Sequence, residues 1–217
     1  MADNTAIVGV DESGKGDFFG SLVVASFLAT KNEESLLRTL GVRDGKLISN
    51  NKLLDIDERL RDDFEHHLVI FEPQKYNTLY KKIKNLNILL ADGHAEAIES
   101  LCKSHSVDQA VSDKFGKTEL IEDALRKRNC TVSLKQLVRG EAIIQVAAAS
   151  IIARAGYLRE MDRLSTKYNF ELPRGAAPQV DSAGRELVDE QGVEVLEKVA
   201  KLHFKNYHRI VNPRLFS

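Results

Sequence analysis

Two short apolar runs, Ala6-Ile-Val-Gly-Val10 and Leu22-Val-Val-Ala-Ser-Phe-Leu28, are joined by a connection carrying Gly14, Gly16 and Gly20. Runs this short, rich in β-branched residues and bounded by glycine turns, read as strands, and so brief a connection makes them an antiparallel hairpin. The rest of the chain has to pack on that pair. Leu53, Leu54, Ile56, Leu60 and Phe64 recur at helical spacing over 51–65. A third strand is predicted at 67–71, stopped by Pro73, with helices at 74–84 and 87–103 after it. A fourth strand at 107–111 and a fifth at 131–138 enclose a helix at 117–128. A long helix at 142–165, a loop at 172–178 and helices near 183–190 and 192–204 complete the reading. Strands alternating with helices after an opening hairpin predict an α/β fold. Its five-stranded mixed sheet is antiparallel at first and parallel later, flanked by helices and finished by C-terminal helices.

The 217 residues suffice for one real core. No repeat or linker is visible, so 1–217 is expected to form a single domain, with 169–217 as a C-terminal loop and helical extension. Lys and Arg number 31 against 32 Asp and Glu, a net charge of -1. That excludes a globally basic nucleic-acid binder but not a basic face, because a ligand feels the local field. Cys102 and Cys130 form neither a C-x-x-C pair nor a disulfide framework, so a reducing compartment and inert thiols are expected. The longest nearly apolar run, 142–153, contains Gln145 and Ser150 and falls well short of the roughly 20 residues a bilayer span needs. The first residues lack the basic and apolar regions of a secretory signal. The expectation is a cytoplasmic monomer with no membrane contact.

Asp11-Glu12 sits at the end of the first strand, just before the glycine turn. Alone, such a pair would pass for an exposed turn. Asp113, however, closes the fourth strand, and Glu141 follows the fifth and opens the long helix. Open α/β sheets bind ligands outside their strand ends, so these four acids suggest one carboxylate cluster. Like charges a few ångströms apart repel by on the order of several kcal/mol, so either pKa values rise or a divalent ion neutralises the group. All-oxygen donors suit Mg²⁺ or Mn²⁺ rather than Zn²⁺. Two such ions about 4 Å apart are a standard device for phosphodiester hydrolysis. Glu141 by itself would also suit a helix N-terminus; only the set of four favours the metal. Gly9-Val-Asp-Glu-Ser-Gly-Lys-Gly16 is a poor P-loop, because Gly16 replaces the magnesium-binding hydroxyl and two acids would face the phosphates. Gly14 and Gly16 instead allow close backbone approach to a ligand, with Lys15 supplying charge to a phosphate.

Gly9-Val-Asp-Glu-Ser-Gly-Lys-Gly-Asp-Phe-Phe-Gly20 resembles the opening motif of bacterial ribonuclease HIII, of the type 2 ribonuclease H group. Asp44-Gly-Lys46 resembles that group's Asp-Ser-Lys element, and Lys84-Asn-Leu-Asn87 with Ala91 and His94 resembles its Asn-x-Asn helix. Ser112-Asp-Lys-Phe115, Gly140-Glu141 with Val146 to Arg154, Leu172-Pro-Arg-Gly-Ala176 and Lys201-Leu-His-Phe-Lys-Asn206 continue the series in order. Glutamate at the fourth acid resembles type HIII more than the sister type HII, which usually has aspartate. The resemblance implies a ribonuclease H-like fold and two-metal hydrolysis of the RNA strand of RNA–DNA hybrids, leaving 5′-phosphate and 3′-hydroxyl ends. It implies that Asp11, Glu12, Asp113 and Glu141 hold the ions, Mg²⁺ or Mn²⁺. It also implies that Gly14, Lys15 and Gly16 contact the ribose 2′-hydroxyl, the group that sets RNA apart from DNA. Lys46 and Arg174 join them as candidate substrate contacts. Ribonuclease HIII proteins usually carry an N-terminal substrate-binding domain resembling the TATA-binding protein, and a chain without it is expected here. Ser21 stands where the family often has Pro, and Gly45 where it usually has Ser. Type HII cleavage at single ribonucleotides embedded in DNA, and a hybrid-binding module without catalysis, are the alternatives.

Five basic residues, Lys198, Lys201, Lys205, Arg209 and Arg214, occupy the last twenty positions without an acid, with Phe204 and Tyr207 between them. They read either as a phosphate-tracking patch or as a solvated helix face. Arg126-Lys-Arg128 reads as an exposed helix end, Ser150 as a small packing residue, and the histidines show no zinc spacing.

Overall fold

A strand that is apolar on both faces belongs in the middle of a sheet. Ala6–Ser13 (β1) and Leu22–Thr30 (β2) meet that condition, with Val8, Val10, Val23, Val24 and Phe27 fully buried. The structure is a computed structural model and describes residues 4–43 and 48–212. β1 and β2 pair antiparallel, with Asp11 opposite Ala25 and Glu12 opposite Val24. Gln109–Asp113 (β4) runs parallel to β1, placing Ser112 opposite Val10, and Ser133–Leu137 (β5) runs parallel to β4, placing Leu137 opposite Asp113. With His66–Phe71 (β3) the order is β3-β2-β1-β4-β5. The mixed five-stranded sheet is the predicted one. β4 lies two residues later at both ends than the sequence pattern suggests, and Asp113 is its last residue.

Nine α-helices occur among the described residues: Glu34–Thr39 (α1), Asn50–Asp63 (α2), Pro73–Ile83 (α3), Leu86–Ser104 (α4), Thr118–Lys127 (α5), Ile144–Tyr168 (α6), Pro178–Gln191 (α7), Val195–Val199 (α8) and Lys205–Val211 (α9). The short α1 has no periodicity to announce it, since it buries only Leu37. No helix among the described residues is long and apolar enough to cross a membrane. The chain divides into two compact units, one of residues up to 13, 23–69 and 85–156, the other of 14–22, 70–84 and 157 onward.

In the first unit, α6 is buried all round over its early turns, with Val146, Ala147, Ala148, Ala149, Ile151 and Ile152 at most 1% exposed. Its alanines allow backbone to meet backbone. A Cβ on Gly9 would lie 2.1 Å from the carbonyl carbon of Gln145, so β1 can carry α6 there only with glycine. Asn85 caps α4, its side chain accepting the amides of Asn87 and Ile88 at 3.0 and 3.4 Å. This gives the Asn-x-Asn element a structural role. Arg128 is not a free helix end: its guanidinium binds Asp92, Glu96 and Glu99 of α4 at 3.0, 3.3 and 3.1 Å. Cys102 and Cys130 are free and lie side by side, burial and the neighbouring thiol pushing Cys102 up to about 12.

In the second unit, Pro178 takes the first position of α7 and starts that helix five residues before the predicted 183. The predicted helix at 192–204 is broken. α8 ends at Val199, Ala200 bridges Phe19 antiparallel, and α9 starts at Lys205. The main chain prefers other partners there: Gly20 N donates to Val199 O and Lys201 N to Phe18 O, both at 2.8 Å. The basic stretch is therefore no continuous patch. Lys201 is fully buried and Arg209 pairs with Asp181, while Arg214 lies outside the described residues. Phe204 packs edge-on against Phe18 and His203.

Candidate active site

The end of β1 delivers two carboxylates to the first unit. Asp11 is half-buried; it accepts the Glu12 amide at 2.8 Å and a hydrogen bond from the Ser150 hydroxyl of α6. Burial, and then the negative charge of Glu12, push its pKa up to about 6 in spite of those bonds and of nearby His94. Ser150, expected as mere packing, is thus a partner of the first acid.

Glu12 is held from α4. The Nε2–H of His94 donates to its Oε2 at 3.0 Å, with His94 fully buried and the Glu12 side chain 10% exposed. The other ring nitrogen, Nδ1, is bonded at 3.1 Å to the Ser112 hydroxyl, which lies 2.9 Å from the Asp113 carbonyl. Phe115 packs on the ring at a centroid distance of 4.8 Å. A continuous line of contacts therefore runs from Glu12 through His94 and Ser112 to the last residue of β4.

Asp113 accepts the Gly140 amide on Oδ1 at 2.8 Å. A Cβ on Gly140 would sit 2.8 Å from the Asp113 Cα, so this approach requires glycine. Arg139 ahead of it is left-handed, with φ 59, a conformation that costs a non-glycine residue roughly 1–2 kcal/mol. The 3-10 turn Gly140–Ala142 then presents Glu141, half-buried. Glu141 precedes α6 rather than opening it, a correction to its expected place.

All four predicted acids thus sit at neighbouring strand ends of one unit. They stand as two pairs: Asp11 with Glu12, and Asp113 with the turn that bears Glu141. Among the described residues no three His, Cys, Asp or Glu side chains gather closely enough as placed to hold a metal ion. The donor set nevertheless fits a hard divalent cation, being all carboxylate oxygen, and the pKa of Asp11 is raised by burial and then by the charge of Glu12.

Gly14, Lys15, Gly16 and Arg174 belong to the second unit. Gly14 is buried, and a Cβ on it would lie 2.7 Å from the Tyr157 ring. Lys15 is half-buried; Gly16 is exposed, and a Cβ there would meet nothing within 4 Å. Arg174 is exposed in the loop before α7. The next residue, Gly175, donates its amide to Asp17 Oδ1 at 2.6 Å, which ties this loop to the turn. Burial and the charge of Asp17 raise the Tyr157 hydroxyl pKa, while Arg174 opposes that shift. Lys46, with Asp44 and Gly45, lies outside the described residues.

Sequence reasoning missed His94 and Ser112 as holders of the acids. The available signal was a polar residue in an apolar stripe: His94 falls among Leu90, Ala91, Ala95 and Ile98, all buried.

The family model of ribonuclease HII matches residues 8–207. Ribonuclease HIII of Chlamydia felis is 42% identical over 213 residues, which span 96% of this chain and 71% of that protein. Ribonuclease HIII of Protochlamydia amoebophila is 37% identical over 209 residues, 96% of this chain and 69% of that one. Among solved structures, Bst-RNase HIII in complex with Mn²⁺ superposes with a TM-score of 0.91 at 27% identity, over 99% of this chain and 71% of that one. Ribonuclease H2 from Pyrococcus horikoshii OT3 shares the fold, with a TM-score of 0.82 at 22% identity over 98% of this chain and all of that one. The ribonuclease H-like fold is thereby established, and the chain belongs to the ribonuclease HII family, on its ribonuclease HIII side, and is a ribonuclease H.

Proposed function

We propose that this enzyme cuts the RNA strand of RNA–DNA hybrids with Mg²⁺ or Mn²⁺, two ions held by Asp11, Glu12, Asp113 and Glu141, and leaves 5′-phosphate and 3′-hydroxyl ends. The observation that carries the reading is geometric: Asp11 and Glu12 stand toward the end of β1, and Asp113 ends the adjoining parallel strand β4. A relative of the same fold, Bst-RNase HIII, binds Mn²⁺ in its crystal. When bound, such ions activate water and stabilise the leaving oxygen of an in-line displacement. The protein's own part is positional. Ser150 and the Glu12 amide orient Asp11, His94 orients Glu12, and the Gly140 amide orients Asp113. The main chain of Gly14, Lys15 and Gly16 contacts the ribose, Arg174 contacts phosphate, and Lys46 is a further substrate contact. The chain acts as a single catalytic domain and a monomer in the cytoplasm.

Asp11→Asn tests the metal reading. It keeps the shape and removes the charge, so cleavage in Mg²⁺ or Mn²⁺ should vanish while thermal stability holds or rises. Retained turnover would sink the assignment. A second reading, cleavage at single ribonucleotides embedded in DNA, is favoured by the match to the ribonuclease HII family model. Two labelled duplexes separate the readings: one with a long RNA stretch opposite DNA, one with a lone ribonucleotide. Cutting only the first supports hybrid specificity, and efficient cutting of the second at its DNA–RNA junction supports the alternative.

A further inference from the structure

Lysine is almost never fully buried without partners, yet Lys201 has no exposed surface. Its amine donates to the carbonyl oxygens of Gly20 at 2.6 Å and Phe19 at 3.3 Å, and lies 5.9 Å over the Tyr76 ring. The main chain repeats the same grip. Lys201 N donates to Phe18 O, Gly20 N donates to Val199 O, and Phe19 bridges Ala200. Residues 18–20 are therefore clasped by 199–201 through both backbone and side chain. That segment continues directly from Gly14-Lys15-Gly16-Asp17, and its other anchor is Gly175, which accepts the Phe18 amide at 2.8 Å and donates to Asp17.

An apolar side chain of similar length would leave the Phe19 and Gly20 carbonyls without this donor. Burial drives the amine down to about 7, only partly opposed by Asp17, so the ionised form is held against its preference. A buried amine that grips the segment leading out of the turn, although burial opposes its charge, points to a role beyond the fold.

We propose that Lys201 is a positioning residue for the substrate: by holding the carbonyls of Phe19 and Gly20 it sets the Gly14–Gly16 turn in the geometry that selects hybrid over DNA. The inference rests on the reading of that turn as a ribose contact. It makes Lys201 matter for substrate choice and not for the metal.

The test uses the full chain in the Asp11→Asn background, so that nothing is cut, with and without Lys201→Met. Dissociation constants are measured for an RNA–DNA hybrid and for an all-DNA duplex of the same sequence. Lys201→Met should lose about tenfold of the preference for hybrid, a loss of ~1.4 kcal/mol. Mn²⁺ affinity, measured without nucleic acid in the chain that keeps Asp11, should stay unchanged, and the melting temperature should stay close to the parent's. Lys201→Gln, which keeps a donor on a shorter arm, should fall between and serves if the methionine variant does not fold. A preference equal to that of the parent in both variants overturns the role of Lys201. A parent that binds hybrid and DNA alike overturns the reading of the turn instead. Loss of preference together with Mn²⁺ affinity and melting temperature would make Lys201 a fold residue only.

Discussion

His94 offers the sharpest separation between what holds the site and what holds the fold. Its ring is fully buried, bonded to Glu12 on one nitrogen and to Ser112 on the other, and packed on Phe115. His94→Ala removes a bond to a carboxylate, worth about 1.5–3 kcal/mol, and a neutral one, worth about 0.5–1.5 kcal/mol. The cavity left by the ring adds to that, for a total of about 3–5 kcal/mol. Such a loss is large beside an ordinary folding stability of ~5–15 kcal/mol, so the alanine variant alone would not separate the roles. Asn and Gln do. Asparagine can place a polar group near the Nδ1 position and keep Ser112, whereas glutamine can reach the Nε2 position and keep Glu12. Urea unfolding should find both destabilised by similar amounts, about 1–3 kcal/mol. Mn²⁺ titration, followed by the free ion's electron paramagnetic resonance signal, should then divide them. Affinity falls by ~10–100-fold in His94→Asn and far less in His94→Gln, because only the first releases Glu12. Equal affinities in the two variants would refute the claim that His94 acts through Glu12.

Arg128→Ala leaves Asp92, Glu96 and Glu99 facing one another on one side of α4; because Arg128 is 24% exposed and two of its partners more so, the loss should be only about 1–2 kcal/mol by urea unfolding and should shrink in 1 M salt. Lys201 should give the stability a pH slope. Its pKa is 10.5 as the unfolded reference and about 7 when folded, so between those values the unfolded chain binds the extra proton and stability rises with pH. Below about 7 the deficit is fully present. The groups that face the amine do not cancel the slope: burial drives His203 down to about 4, Tyr76 is pushed above its usual range, and the charge of Asp17 only partly offsets the burial of the amine. From pH 7 to 9 the parent should therefore gain up to about 2.7 kcal/mol relative to Lys201→Met, read from urea midpoints at each pH. Parallel curves for the two proteins would show that the amine is already charged or already solvated.

The fold was readable wherever an element is decided by its own residues. β1 and β2 announce themselves because both faces are apolar, and α6 because its alanines and isoleucines are buried all round. Reading failed where the deciding partner is remote. Val195, Leu196, Val199 and Leu202 have helical spacing, yet the helix stops at Val199 because Phe18, Phe19 and Gly20 offer the backbone better partners. The same remoteness hid Lys201, which by local composition is one more charge in a basic tail.

The four acids were legible for the opposite reason. A carboxylate at the end of an apolar strand is locally out of place, and a sequence displays what is out of place. Their supports are not: a histidine in a helix 82 residues from Glu12 and a serine in an alanine-rich run look ordinary until the chain is folded. This division follows from the chemistry. The proposed metal site sets carboxylates near one another, and Asp11 is raised to about 6 first by burial and then by the charge of Glu12. The groups that keep those charges in place are compact and packed: His94 and Ser112 are fully buried and Ser150 is half-buried. Sequence therefore exposes the carboxylates proposed to hold the ions more readily than the groups that aim them, and His94, Ser112, Ser150 and Lys201 are where substitutions should separate aim from chemistry.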